Sequence, residues 1–147
     1  MALVIRDARP DDESRWRQLW TDYTTFYKVT VPQDVTDSVW NRVFDPASAL
    51  FMRVAEVDGT VEGFALCLTH EGTWVKDPIC YLEDLFLDEK LRGKGVGKAM
   101  MDDLVALCKE KGWCRLYWHT NTENARARKL YDQYVKWDDH IRYRISF

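Results

Sequence analysis

The chain has no long apolar run. Nothing in its 147 residues approaches the roughly 18 consecutive apolar residues that a membrane-spanning helix needs, so no membrane partner is expected. The N-terminal stretch MALVIRDARPDDE turns acidic at once, unlike a secretory leader, and a cytoplasmic location is the expectation. Excess positive charge is also missing: 21 Lys and Arg stand against 24 Asp and Glu, for a formal net charge of -3. Nucleic-acid-binding domains usually carry a basic patch and a high pI, so no nucleic-acid partner is expected. Cysteine is sparse, and Cys67, Cys80, Cys108 and Cys114 form no C-x-x-C pair. That argues against a zinc site or a disulfide framework and for free, buried thiols. No linker, repeat or low-complexity tract interrupts the sequence, and its length suits one domain spanning residues 1–147.

What is plentiful is aromatic. Seven Trp, seven Tyr and six Phe in a chain that is 46% hydrophobic and 31% charged predict a globular fold with an aromatic core. Leu3 to Asp7 reads as a short edge strand. Pro10-Asp11-Asp12-Glu13 reads as a helix start, its acids placed at the positive end of the helix dipole. Trp16, Leu19, Trp20, Tyr23 and Tyr27 then recur at steps of three and four, as on an amphipathic helix. Pro32 to Phe44 reads as a second helix with Val35, Val39, Trp40 and Val43 on one face.

The period then changes. Phe51 to Val57 and Val61 to Thr69 read as two strands joined at Asp58-Gly59, a strong hairpin signal because both turn positions want positive φ. His70 to Pro78 is a loop. Ile79 to Leu87 (ICYLEDLFL) is a nearly unbroken apolar strand, as in a sheet covered on both faces. Its two acids, Glu83 and Asp84, are consecutive, so alternation sends them to opposite faces. Acids inside an apolar run are costly unless paired or functional. A Gly-rich turn leads to a helix from Gly95 to Lys111, with Val96, Met100, Leu104, Leu107 and Cys108 as its apolar face and Gly112 as C-cap. Arg115 to Thr120 is a strand that places Tyr117 and His119 on one face, Asn124 to Tyr134 a short helix, and His140 to Phe147 an alternating final strand. The sum is a mixed α/β domain.

The informative segment joins strand, glycines and helix: Leu85-Phe86-Leu87-Asp88-Glu89-Lys90-Leu91-Arg92-Gly93-Lys94-Gly95-Val96-Gly97-Lys98. Such a junction aims several backbone N–H groups at one spot, where the helix dipole adds positive potential. Glycine lets the backbone approach a bulky anion, and Arg92, Lys94 and Lys98 add cations, so a pyrophosphate is the ligand this loop suits. It is neither a Walker A loop nor a dinucleotide fingerprint.

The run Arg92-Gly93-Lys94-Gly95-Val96-Gly97 resembles the loop signature of the GNAT acetyltransferases: Gln or Arg, two residues, Gly, one residue, then Gly or Ala. Tyr81-Leu82-Glu83-Asp84-Leu85-Phe86 before it, with Asn124 and Tyr131 after it, resembles the spermidine/spermine and thialysine acetyltransferase branch. The resemblance covers roughly Phe51 to Tyr131. It implies the single-domain GNAT α/β fold, a mixed central sheet splayed at the cofactor strand and flanked by helices. It also implies an N-acetyltransferase that uses acetyl-CoA on a primary amine of a small molecule: a polyamine, a lysine-like side chain or an amino acid. The alternatives are a protein lysine or N-terminal acetyltransferase and a non-catalytic acetyl-CoA sensor.

The resemblance also implies residue roles. Gly93, Lys94, Gly95, Val96, Gly97 and Lys98, with Arg92, would hold the pyrophosphate. Leu85 and Leu87 would pair with the pantetheine arm, and an amide of Leu85 or Phe86 would polarise the thioester carbonyl. Asn124 would touch the cofactor, against a plain N-cap role. Tyr131 would protonate the departing thiolate. Glu83 would serve as base and, with Asp84 and Tyr27, contact the substrate. Tyr23, Phe26 and Tyr27 stand where this fold roofs its substrate site, with core packing as the competing role; a part for His119 is weaker still. Where the family commonly continues with a Gly-Phe pair, this chain has Val135-Lys136-Trp137-Asp138-Asp139. A homodimer is an expectation from the same branch.

Overall fold

The computed structural model describes residues 1–147. Its strands are β1 (Leu3–Asp7), β2 (Leu50–Val57), β3 (Thr60–His70), β4 (Ile79–Leu87) and β5 (Arg115–Trp118), and its helices α1 (Glu13–Phe26), α2 (Gln33–Val43), α3 (Val96–Lys111) and α4 (Ala125–Tyr131). The strands form one sheet in sequence order. β1 to β4 are antiparallel neighbours, whereas β5 pairs with β4 in parallel. A parallel neighbour needs a crossover, and α3 supplies it. At the β2–β3 turn, Asp58 and Gly59 have φ of 50° and 85°, the left-handed pair that a tight hairpin demands.

Each face of the sheet is covered. On one, Trp16, Leu19 and Trp40 of α1 and α2 pack on Met52, Val54, Val61, Phe64 and Leu66. Trp16 is fully buried and stacks between Trp20 and Trp40 at 5.3 and 5.2 Å. On the other, α3 lays Val96, Met100, Met101, Leu104 and Cys108 against Ala55, Ala65, Cys67, Cys80 and Leu82. Met101 thus joins the face expected of α3, while Leu107 is only partly buried. Gly112 ends α3 at φ 75°, relieving the orphan carbonyls of the last turn. Cys67, Cys80 and Cys108 are buried free thiols and Cys114 an exposed one.

Two one-residue bulges set which side chains reach the site. In β3, Ala55 faces Gly63 and Glu56 faces Val61, which leaves Glu62 unpaired. In β4, Leu66 faces Asp84 and Cys67 faces Leu82, which leaves Glu83 unpaired. A bulge shifts the alternation by one. Leu82 and Leu85 therefore both face α3, three residues apart.

Several expectations change. Asn124–Tyr134 contracts to α4 with Asn124 as its cap, and Arg115–Thr120 ends at Trp118. Val35 is exposed, and α2 buries Thr36 and Trp40 instead: Trp40 packs in the α1-side core and Trp20 Nε1 donates to Thr36 Oγ1 at 3.1 Å. His140 to Phe147 is not a strand: it has no ladder partner, and Ile141, Tyr143, Ile145 and Phe147 are exposed. Alternation describes what a segment could pair with, and no strand of this chain pairs with it. No helix is long and apolar enough to cross a membrane.

Candidate active site

β4 and β5 hydrogen-bond only from Ile79 opposite Arg115 to Leu82 opposite Trp118. β4 runs on through Glu83–Leu87, while β5 stops. The two strands fork there, and the edge of β4 from Glu83 to Leu87 is open on that side. Into the fork opens a cavity of about 680 Å³, walled by β4, the Gly-rich turn, α4 and the end of α1.

The turn is anchored from below. Leu91 is buried in the α3-side core. Asp88 Oδ1 accepts from the Lys90 amide at 3.1 Å, and the Asp88 amide donates to Glu62 O at 2.7 Å. The bulged Glu62 is itself buried, and its carboxylate pairs with Arg15 of α1 at 3.0 Å and Lys90 at 2.9 Å. Burying that charge is tolerable only because both oxygens are paired. Nothing in the sequence pattern singled out Glu62; a lone acid in an apolar strand was the available signal.

Gly93 and Gly95 have φ of 78° and 80°, and a Cβ at either would meet no atom within 4 Å. Glycine is required there by backbone conformation, not by crowding. The conformation leaves the amides of Gly93, Gly95, Val96, Gly97 and Lys98 without an acceptor in the chain, at the positive end of α3. Such a cluster is built to take an anion.

Most of the residues singled out from the sequence meet in this cavity. Glu83, Leu85, Phe86 and Leu87 line it from β4. Arg92, Gly93, Gly95, Val96, Gly97 and Lys98 line it from the turn, Asn124 and Tyr131 from α4, and Tyr27 with Tyr23 and Phe26 from α1. Lys94 and Asp84 are absent from its lining. Lys94 is exposed on the turn. Asp84 is turned toward α1, where the Tyr23 hydroxyl donates to its Oδ1 at 2.6 Å. The bulge overrides simple alternation, which would have sent Asp84 to the α3 side with Leu82: Glu83 opens to the cavity and Asp84 lies behind its wall, against α1. Asn124 Oδ1 accepts from the Ala127 amide at 3.2 Å, so the side chain caps α4 while still reaching the cavity. Lys98 Nζ is held by Asp102 at 2.9 Å, and the Arg92 guanidinium lies 5.4 Å from the centre of the Phe26 ring.

The protonation states are sorted. Burial, aided by the neighbouring Tyr27 phenol, pushes Tyr131 up to about 12, so it stays a phenol at neutral pH. Its ring packs edge-on to Trp118 at 5.4 Å. Burial raises Asp84 to about 6, the Tyr23 bond opposing and the Glu83 charge adding to the rise. Tyr23 is raised above the ordinary phenol range by burial and by Asp84. Residues that the sequence reading did not assign to the cavity or ranked low also line it, among them Trp118, His119, Arg126 and Lys129. The two cations sit three apart on one face of α4, a spacing legible in hindsight.

Residues 15–135 match the Acetyltransferase (GNAT) family. The chain belongs to that family. It is 31% identical over 144 residues to the D-amino-acid N-acetyltransferase HPA3 of Saccharomyces cerevisiae, a match covering 97% of this chain and 89% of the yeast protein. It is 28% identical to an aminoglycoside N(6')-acetyltransferase of Stenotrophomonas maltophilia, over 86% of this chain and 80% of that one. Among solved structures, AAC(6')-Iy in complex with the bisubstrate analogue CoA-S-monomethyl-acetylneamine superposes with a TM-score of 0.83 at 21% identity, covering 100% of both chains. The GNAT fold, with its mixed five-stranded sheet and flanking helices, is thereby shared. The protein is an acetyl-CoA-dependent N-acetyltransferase acting on an amine.

Proposed function

We propose that this GNAT enzyme acetylates the primary amine of a small molecule, and that the substrate class is the free amino acid. One observation carries the choice: Glu83 is the sole carboxylate lining a cavity whose other charged side chains are Arg92, Lys98, Arg126 and Lys129. A polyamine or an amino sugar is a polycation and wants several anionic partners. An amino acid brings one ammonium and one carboxylate, which one acid among cations can satisfy. The yeast relative, a D-amino-acid N-acetyltransferase, supports the same reading.

The residues fit acetyl-CoA. The unpaired amides of Gly93 and Gly95–Lys98, with Arg92 beside them, hold the pyrophosphate. Lys94 adds only distant positive potential. The open edge of β4 at Leu85 and Leu87 would hold the pantetheine arm, with Asn124 beside it on α4. When bound, the group supplies an activated acetyl thioester. An amide of Leu85 or Phe86 donates to the oxygen on which charge develops. Glu83 draws in the ammonium and fixes it beside that carbon, with Tyr27 as the roof. Asp84 acts through Tyr23, as a brace between β4 and α1. Tyr131, a phenol at neutral pH on the cavity wall, would supply the proton that the leaving thiolate needs.

The test is thiol release with acetyl-CoA and a panel of D- and L-amino acids, spermidine, spermine, an aminoglycoside and a lysine peptide. Preferred turnover of amino acids, with Glu83→Gln raising the amine KM, supports the reading; preference for a polycation or the peptide sinks it. A homodimer is supported by the bare outer edge of β5 and the unpaired, alternating His140–Phe147 segment; sedimentation as a monomer would refute it. A cytoplasmic setting is supported by four free thiols.

A further inference from the structure

The cavity wall carries one imidazole that the roles above leave unused. Leu82 opposite Trp118 is the last paired position of β4 and β5. The residue that follows each, Glu83 on β4 and His119 just past the end of β5, lines the cavity. We infer that His119 accepts the proton of the substrate ammonium that Glu83 holds, an assignment resting on the acetyl-transfer reading above.

Three observations carry it. The ring is oriented: His119 Nδ1 lies 3.2 Å from the Tyr81 hydroxyl, and the ring packs edge-on to Tyr81 at 5.5 Å. Tyr81 is braced in turn, stacked on Tyr117 at 4.7 Å, whose hydroxyl meets His70 Nε2 at 2.8 Å. Nε2 of His119 has no partner in the chain, so it is the free nitrogen of a positioned ring. The placement also separates acid from base. Trp118 turns toward the α3 side, where it meets Tyr131, and His119 turns the other way, toward Tyr81 and Tyr117. The proton donor for sulfur and the proton acceptor for nitrogen thus flank the fork.

Chemistry favours a second group beside Glu83. A carboxylate close to an ammonium stabilises its charged form and so opposes deprotonation. Glu83 is therefore suited to hold the cation. Imidazole, which changes charge nearest neutrality of all side chains, is suited to take the proton. His119 is faced by Tyr81 of β4 and Tyr117 of β5, both of which feel the Glu83 charge, and Arg142 of the C-terminal segment acts on Tyr81. Across the cavity stand Tyr27 of α1 and Arg126, Lys129 and Tyr131 of α4.

The balance closes. The ammonium gives one proton to His119 Nε2, and the freed nitrogen pair forms the N–C bond. The C–S bond breaks, and its electron pair takes the Tyr131 proton. The second proton lost by nitrogen restores Tyr131 through solvent, and His119 releases its own to solvent. One amide, one thiol and one proton result.

The test compares pH profiles of kcat/KM for the wild type, His119→Gln, Glu83→Gln and Tyr81→Phe on free amino acids, with acetyl-CoA binding and thermal melts as controls. His119 is exposed, so His119→Gln is expected to fold and bind acetyl-CoA normally. It should lose about 10²–10⁴-fold in kcat/KM, chiefly in kcat, together with the acid limb of the profile. Glu83→Gln should raise KM and keep that limb; Tyr81→Phe should lower kcat and keep it. A His119→Gln enzyme that retains the limb, or changes only in KM, overturns the inference while leaving the acetyl-transfer reading intact. A wild type inert toward every amine overturns the reading beneath it.

Discussion

Asp84→Asn should stabilise this protein above neutral pH and leave it nearly unchanged in mild acid. The side chain is held behind the cavity wall with the Tyr23 hydroxyl donating to Oδ1 at 2.6 Å. Burial raises its carboxyl from 3.8 to about 6 in spite of that bond. A group whose folded pKa exceeds its unfolded value binds more protons when folded, so stability falls as pH rises through the interval between the two. At 1.36 kcal/mol per unit, the charged form costs the fold on the order of 2–3 kcal/mol once both states are ionised. Asparagine keeps an oxygen for Tyr23 and carries no charge at any pH. The variant should therefore match the wild type near pH 4 and exceed it at pH 8, by roughly 5–10 °C in Tm for a chain of this size. The seven tryptophans give a fluorescence signal for melts across that range. A pH-independent offset would show that folding does not raise the Asp84 carboxyl, and a variant destabilised most at pH 8 would show that Asp84 is a stabilising anion; either result would refute the reasoning.

Tyr131→Phe should bind acetyl-CoA with unchanged affinity in calorimetry and lose about 10²–10⁴-fold in kcat by thiol release. Gly95→Ala should cost about 1–2 kcal/mol of stability, since an L-residue must adopt φ 80° there, and should weaken acetyl-CoA binding measured by calorimetry; equal affinity would mean the turn does not hold the pyrophosphate. Trp16→Ala, which empties the centre of the α1–α2 packing, should cost about 3–5 kcal/mol in denaturant titration, and a smaller loss would show that Trp20 and Trp40 close the gap.

The Gly-rich turn was legible because its demands are local. Positive φ at Gly93 and Gly95, a helix start just beyond and cations alongside are properties of consecutive residues. The same holds for the Asp58-Gly59 hairpin and the Gly112 cap. The acids of β4 were legible only as an anomaly. Alternation gave two opposite faces, but the bulge at Glu83 depends on the register with β3, which is a pairing choice between distant segments. His140–Phe147 failed for the complementary reason: its pattern is that of a strand, and a strand exists only if an edge accepts it.

By itself, the sequence determined the order of elements as far as α4, the hairpin, the Gly-rich turn before α3 and the family, because each rests on spacing along the chain. Only the tertiary structure decided that Glu83 faces the cavity and Asp84 does not, that Glu62 pins the turn to α1, and that His119 stands across the fork from Glu83. Those facts follow from two bulges and from where β5 stops, and hydrogen-bond register between strands far apart in sequence leaves no periodic trace in either one.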